Sequence, residues 1–195
     1  MKSGWAWVLP AALVLAGCTP TAPPSTPAPT PTFMCTPEAG GAESPCSQQD
    51  YEKMKARDAQ YAEAEKVYRE YLDEYVRVMK AGGGTQLTAE LEGLLGTQKL
   101  RELMLDRMKY YKSQGLRAVG PGITVKSAVR LTSLTLAGSV AAIRFCIDAK
   151  GMATYRGTVK QGDWGASQET IHFSSTDSGS LKITSSTVKR VKSCG

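Results

Sequence analysis

The stretch GPGITVKSAVRL, Gly120–Leu131, decides how the chain folds. Before it, apolar residues recur every three or four positions; after it, they recur every two. Ile123, Val125, Val129 and Leu131 alternate with polar neighbours, as a half-buried strand requires. Ala141, Ile143, Phe145 and Ile147 repeat the pattern beyond a turn-like Leu136-Ala137-Gly138-Ser139. A weaker strand is expected over 152–160. Two more are expected over 168–175 and 180–191, joined at Thr176-Asp177-Ser178-Gly179. Upstream, Ser47 and Asp50 stand at N-cap and N3 spacing and open a long helix. Its apolar face is Tyr61, Ala64, Tyr68, Tyr71, Leu72, Tyr75 and Met79, and Gly82-Gly83-Gly84 stops it. A short helix follows from Thr88 to Leu95, with Leu91, Leu94 and Leu95 inward. A third, capped by Thr97, turns Leu100, Leu103, Met104, Met108 and Tyr111 to one side and ends at Gly115. Helices first and strands second define an α+β class. Three helices are expected on one face of a curved antiparallel sheet.

Further upstream the composition changes. Residues 1–17 hold one charge, Lys2, and an apolar run from Trp5 to Gly17. That run falls short of the roughly 20 residues of a spanning helix and fits a secretory signal. It ends in Leu15-Ala16-Gly17-Cys18, which resembles a bacterial lipobox: leucine, two small residues, then the cysteine that accepts the lipid. The resemblance implies cleavage before Cys18, a diacylglyceryl anchor on its thiol, and a place on the outer face of the cell membrane. Two acyl chains anchor stably where one does not. Residues 18–34 are then the lipidated cysteine and a tether of Thr, Pro, Ala and Ser, too polar to fold. At about 3.1 Å per residue in polyproline II it reaches roughly 50 Å. Residues 35–195 are the size of one domain.

The formal charge of +6 is uneven. Residues 47–115 hold 12 basic and 12 acidic side chains, whereas 116–195 hold 11 basic and 4 acidic. Lys182, Lys189, Arg190 and Lys192 concentrate near the C-terminus. A basic sheet half attracts an anionic leaflet or wall polymer, within a Debye length. Nucleic acid is not expected as a partner, because the aromatic interleaving of single-strand binders is missing.

From about residue 90 onward stand the stretches LEGLLGTQKLRELMLDRMKYYKSQGLRAVG, IRFCIDAKG and DSGSLKITSSTVKRVKSCG. Through these stretches the chain resembles the NTF2-like lipoproteins of actinobacteria, which have a cystatin-like α+β cone. Within the stretches are Gly115-Leu116-Arg117, Cys146 with Asp148, and Cys194. The usual Gly-x-Trp of the last hairpin is replaced by Gly179-Ser180-Leu181. The resemblance implies a fold and a cell-surface setting but no chemistry. With Cys18 lipidated, four cysteines remain in an oxidising compartment, and three pairings are open to them. Cys35–Cys46 is favoured because it closes a polar Gly- and Pro-containing loop. Cys146–Cys194 is the pair that the resemblance supports. Neither pair has the short spacing of a zinc site, so no metal and no cofactor is expected.

Catalytic motifs are missing: there is no Ser/His/Asp spacing, phosphate-cradling glycine loop or helical HExxH. His172, between Ile171 and Phe173, is expected to point away from them toward solvent or the rim. Asp148 reads as a turn residue bonding nearby amides, or alternatively as a base in the cone. The tyrosine stripe Tyr51, Tyr61, Tyr68, Tyr71, Tyr75 reads as core packing, with Tyr68, Tyr71 and Tyr75 as candidates to line a pocket. Trp164 is expected on a glycine-flanked loop as a contact residue. The expectation is a lipid-anchored, non-catalytic module of the cell envelope, with no catalytic residues. Its partners would be the membrane, through Cys18, and an apolar ligand, an envelope protein or an anionic polymer. The alternatives are a small cone-pocket enzyme of the isomerase or dehydratase type and a phage- or mobile-element-encoded envelope protein.

Overall fold

The computed structural model describes residues 32–38 and 40–195. The expected signal, Cys18 and nearly all of the tether lie outside the described residues. Thr32–Gly195 form a compact unit. Strand β1 (Phe33–Cys35) pairs antiparallel with β2 (Ser44–Cys46), and the Cys35–Cys46 disulfide closes the small ribbon, Cα–Cα 5.8 Å. Phe33 and Met34, expected to end the tether, therefore belong to the fold. The Phe33 ring sits 5.2 Å from that of Tyr51, which gives the ribbon an apolar footing.

Helix α1 (Gln48–Lys80) starts where Ser47 Oγ accepts the Asp50 N–H at 3.1 Å. Its outer face carries Lys66 between Glu63 and Glu70, and Arg69 near Glu65, pairs that add only tenths of a kcal/mol each. Its inner face buries Tyr61, Ala64, Tyr68, Leu72 and Met79, and also Val67, Val76 and Val78. Helix α2 (Ala89–Leu94) is capped by Thr88 and α3 (Gln98–Ser113) by Thr97. Leu91, Met104, Met108 and Tyr111 are buried as their spacing predicts. Leu103 is not: it is 57 % exposed, because the helix rolls Met104 and Met108 onto the core instead. Gly115 closes α3 at φ +60°, the left-handed position a helix end favours.

The sheet contains β3 (Leu116–Val119), β4 (Thr124–Arg130), β5 (Ala141–Arg156), β6 (Val159–Ser175) and β7 (Leu181–Val191). Every neighbouring pair is antiparallel, in the order β3-β5-β6-β7. Strand β4 shares the β3 edge of β5, β4 against Ile143–Asp148 and β3 against Ala153–Arg156. The class is α+β, with helix packed on an antiparallel sheet, but the strand boundaries differ from the alternation reading. Strand β5 runs through Asp148-Ala149-Lys150-Gly151 instead of turning there, and absorbs the start of the weaker strand expected over 152–160. Between Ala149 and Ala153 its register against β6 shifts, with Gly151 at φ +88°. A bulge has taken the place of the turn. Gly120 packs its backbone onto this bulge so closely that a Cβ there would overlap the Gly151 carbonyl oxygen.

One core unites the elements. Tyr68 stacks on Phe145 with ring centroids 4.0 Å apart, and Met79, Leu91, Met108, Ile143, Met152, Ile171, Phe173 and Ile183 are fully buried around them. No helix among the described residues is long and apolar enough to cross a membrane.

Candidate functional site

A cleft opens between the inner faces of α1 and α3 and the sheet. One lobe, ≈ 420 Å³, is lined by Tyr111, Ile147, Thr154, Trp164 and Ser167. The other, ≈ 480 Å³, is lined by Tyr71, Leu95, Leu100, Met104, Ile171 and Ile183. Tyr75, Arg107, Glu169, Val188 and Arg190 line both, so the lobes share a polar junction. The first lobe is aromatic and hydroxyl-bearing, the second aliphatic.

One regular alternation and two departures from it build this junction. On β6, Glu169 shares a face with Ile171 and Phe173, so its carboxylate enters the interior. On β7, Ile183 stands opposite Phe173 but Ser185 opposite His172, so Thr184 is an extra residue. That bulge reverses the parity of the strand: Leu181 and Ile183 face the core, then Ser186, Val188 and Arg190 face the cleft. On β6 the second departure falls at Gly165, φ +75°, opposite the bulge of β5. It turns Trp164 to the same side as Ser167 and Glu169.

Glu169 accepts the Tyr68 hydroxyl at 2.8 Å on one oxygen and the Ser167 hydroxyl at 3.2 Å on the other. Burial raises its pKa above the ordinary carboxylate range, against the lowering effect of those two donors. Burial also raises the phenols of Tyr68, Tyr71 and Tyr75, which stay neutral at any ordinary pH. Arg107 Nη1 donates to the Tyr75 hydroxyl at 3.2 Å, and Arg190 Nη1 to the Trp164 carbonyl at 3.3 Å. Among the described residues neither guanidinium has a carboxylate partner. The rings Phe145, Tyr68, Tyr71, Tyr75 and Trp164 form a row with successive centroids 4.0, 6.2, 6.1 and 5.7 Å apart.

The structure thus brings Tyr68, Tyr71, Tyr75 and Trp164 together. Tyr68 is in the core with its hydroxyl on Glu169, and Tyr71 and Tyr75 line the cleft. Trp164 is on a strand rather than the expected loop, its Nε1 donating to Thr154 Oγ1 at 2.9 Å. Tyr51 and Tyr61 lie elsewhere, the latter donating to the Leu131 carbonyl at 3.0 Å. His172 points away from the core, yet it is buried rather than solvent-facing, with Ser139 Oγ 3.5 Å from Nδ1. Asp148 is a strand residue whose carboxylate accepts the Lys150 N–H at 2.8 Å, outside the cleft lining. Cys146 and Cys194 are bonded, Cα–Cα 5.7 Å, which draws the tail after β7 back across the sheet to β5. Two disulfides fit an oxidising compartment.

Glu169, Arg107 and the inward turn of Arg190 escaped the motif reading. Glu169 had a signal, a carboxylate in register with Ile171 and Phe173. Arg107 also had one, three residues after Met104 and four before Tyr111. Arg190 had none, because an unmarked bulge sets its direction.

No family model and no curated protein matches the chain. Among solved structures it is similar to the intermembrane-space region of the chloroplast protein ARC6, at 13% identity and TM-score 0.43, over 66% of this chain and 95% of that one. It is also similar to a protein of Catenulispora acidiphila, at 14% identity and TM-score 0.41, over 69% of this chain and 93% of that one. Likenesses this distant carry no argument about function.

Proposed function

We propose that the protein is a lipoprotein, anchored through Cys18 on the outer face of the cell membrane, whose folded part is an NTF2-like cone that binds a small apolar ligand. The observation that carries this reading is the two-lobed cleft, in which aromatic and aliphatic walls meet at a junction of a few convergent charged and hydroxyl groups, the usual make-up of a small-molecule site. Native mass spectrometry of the protein released from its own envelope tests both parts. The expected mass is that of the chain from Cys18 with its acyl groups, plus a bound small molecule. Ser186→Trp, which fills the aliphatic lobe, should lose the small molecule and keep the acyl groups. An unmodified Cys18, or a wild-type protein that carries nothing and takes up no apolar probe, would overturn the reading. An envelope protein or anionic polymer on the outer basic face is then the partner to pursue.

A second reading has a specific observation behind it. Glu169, buried beside a phenol with its pKa raised, has the properties of a general acid or base in the cone of a small enzyme. If the co-purified molecule is turned over, Glu169→Gln should abolish the turnover and leave the mass of the complex in place. Turnover that survives this substitution removes Glu169 from the chemistry.

A further inference from the structure

Among the described residues the two guanidinium groups of the cleft are not ion-paired, although its lining also carries two acids. Arg107 and Arg190 line both lobes where they meet, and each donates only to a neutral oxygen, the Tyr75 hydroxyl or the Trp164 carbonyl. The acids of the lining are Glu169, already engaged by Tyr68 and Ser167, and Asp163 in the first lobe, which pairs with Lys160 at 2.7 Å. A guanidinium with no anion on an apolar wall is an unfilled recognition element, because its planar fork matches a carboxylate or phosphate. Beside it lies a lobe of Leu95, Leu100, Met104, Ile171 and Ile183 with no charged side chain beyond the junction. At the mouth stand Leu103, Tyr110 and Val188, more than half exposed at 57 %, 56 % and 59 %. Exposed apolar side chains around an opening form a path for an apolar tail to enter.

Resting on the ligand-binding reading above, we infer that the ligand is a single-chain anionic amphiphile. Its alkyl tail fills the aliphatic lobe, and its carboxylate or phosphate head is held at the junction by Arg107 and Arg190. Tyr75 orients the Arg107 fork, and the Trp164 carbonyl orients that of Arg190. The aromatic lobe, with Thr154 and Ser167, takes whatever polar extension the head carries.

The test uses the full chain in membrane vesicles, irradiated with dodecanoate or dodecanol that bears a diazirine at the tail end, the cross-links being mapped by peptide mass spectrometry. The dodecanoate probe should label the Leu100–Met104 or Ile183–Val188 peptides, and unlabelled dodecanoate should compete. Arg190→Gln, at an exposed position whose side chain meets only a backbone carbonyl, should weaken that competition about tenfold. Arg107→Gln should act in the same direction. The dodecanol probe should label the same peptides weakly and equally in all variants, which also reports that each variant is folded. Dodecyl phosphate competing better than dodecanoate assigns the head to a phosphate monoester; the reverse order assigns it to a carboxylate. If dodecanol labels as strongly as dodecanoate and neither substitution matters, the anionic head is wrong and the apolar-ligand reading survives. If neither probe labels the cleft, that reading falls with it.

Discussion

Two carboxylates in this fold have pKa values displaced in opposite directions, and each has a different consequence. Glu74, at the inner edge of α1, accepts from Arg77 Nε at 2.6 Å and from the Thr88 hydroxyl at 2.7 Å. The hydrogen bond from Arg77 chiefly holds its pKa down, against burial. A lowered carboxyl pKa adds stability that is present above the unfolded value and is lost as pH falls through the folded one. Glu74→Gln should therefore be less stable than the wild type at neutral pH, with the gap closing in acid; urea midpoints across pH measure it, and a gap that stays constant refutes the assignment. For Glu169 the sign reverses. Burial raises its pKa, so the native state binds more protons than the unfolded chain between the ordinary carboxylate value and the raised one. Stability is lost as pH rises through that window. The groups around it are Tyr68, Tyr71 and Tyr75 of α1, Arg107 of α3, Ser167 of its own strand and Arg190 of β7, with Phe145 opposite it on β5. Glu169→Gln should gain on the wild type as pH rises through the window, and parallel midpoint curves would sink this account. At this scale the sequence was partly legible. Glu169 shares a face with Ile171 and Phe173, and that placement alone marks a buried acid. Glu74 also falls among inward residues, but its partner Thr88 is 14 positions away and only the folded chain reveals it.

At the scale of elements, start and stop signals were the most legible features. Ser47, Thr88 and Thr97 each cap a helix, and Gly115 ends one, because these are local hydrogen-bonding and steric choices that need no tertiary context. Strand extents were less legible. Asp148-Ala149-Lys150-Gly151 has turn composition, but β3 and β4 lie end to end along β5 and supply pairing on both sides of it, so the chain continues through a bulge. The same bulge, and the one at Thr184, aim Trp164 and Arg190 into the cleft, and no residue type announces them. Gly120 is the counterpart that fits against the β5 bulge. At φ +138°, with the Gly151 carbonyl oxygen in the place of a Cβ, Gly120→Ala should cost about 2 kcal/mol or more. Gly122→Ala, at φ +139° with open space around it, should cost less, since it meets only the backbone strain. Denaturant unfolding of the two variants checks the order, and equal losses would mean that the close approach contributes nothing.

For the whole molecule, the disulfides divide the labour by span. Cys35–Cys46 closes 11 residues beside α1, and Cys146–Cys194 closes 48 and pins the chain end to the middle of the sheet. Loop-closure entropy assigns about 3 kcal/mol to the first and about 4 to the second. Replacing Cys146 and Cys194 by serine should therefore lower thermal stability more than replacing Cys35 and Cys46, with calorimetry as the measure. The larger loss falling on Cys35–Cys46 would show that the N-terminal ribbon, not the C-terminal tail, secures the fold. The row of rings from Phe145 to Trp164 gives this molecule an optical property. Trp164 is the only tryptophan among the described residues, and its nearest tyrosine lies 5.7 Å away in a file that leads back to the centre of the core. Light absorbed by Tyr68, Tyr71 or Tyr75 should be handed down that file and emitted by the indole. Tyrosine-excited emission then reads the seating of α1 against the sheet at one end and occupancy of the cleft at the other, so the protein reports on its own core and cleft without an added label.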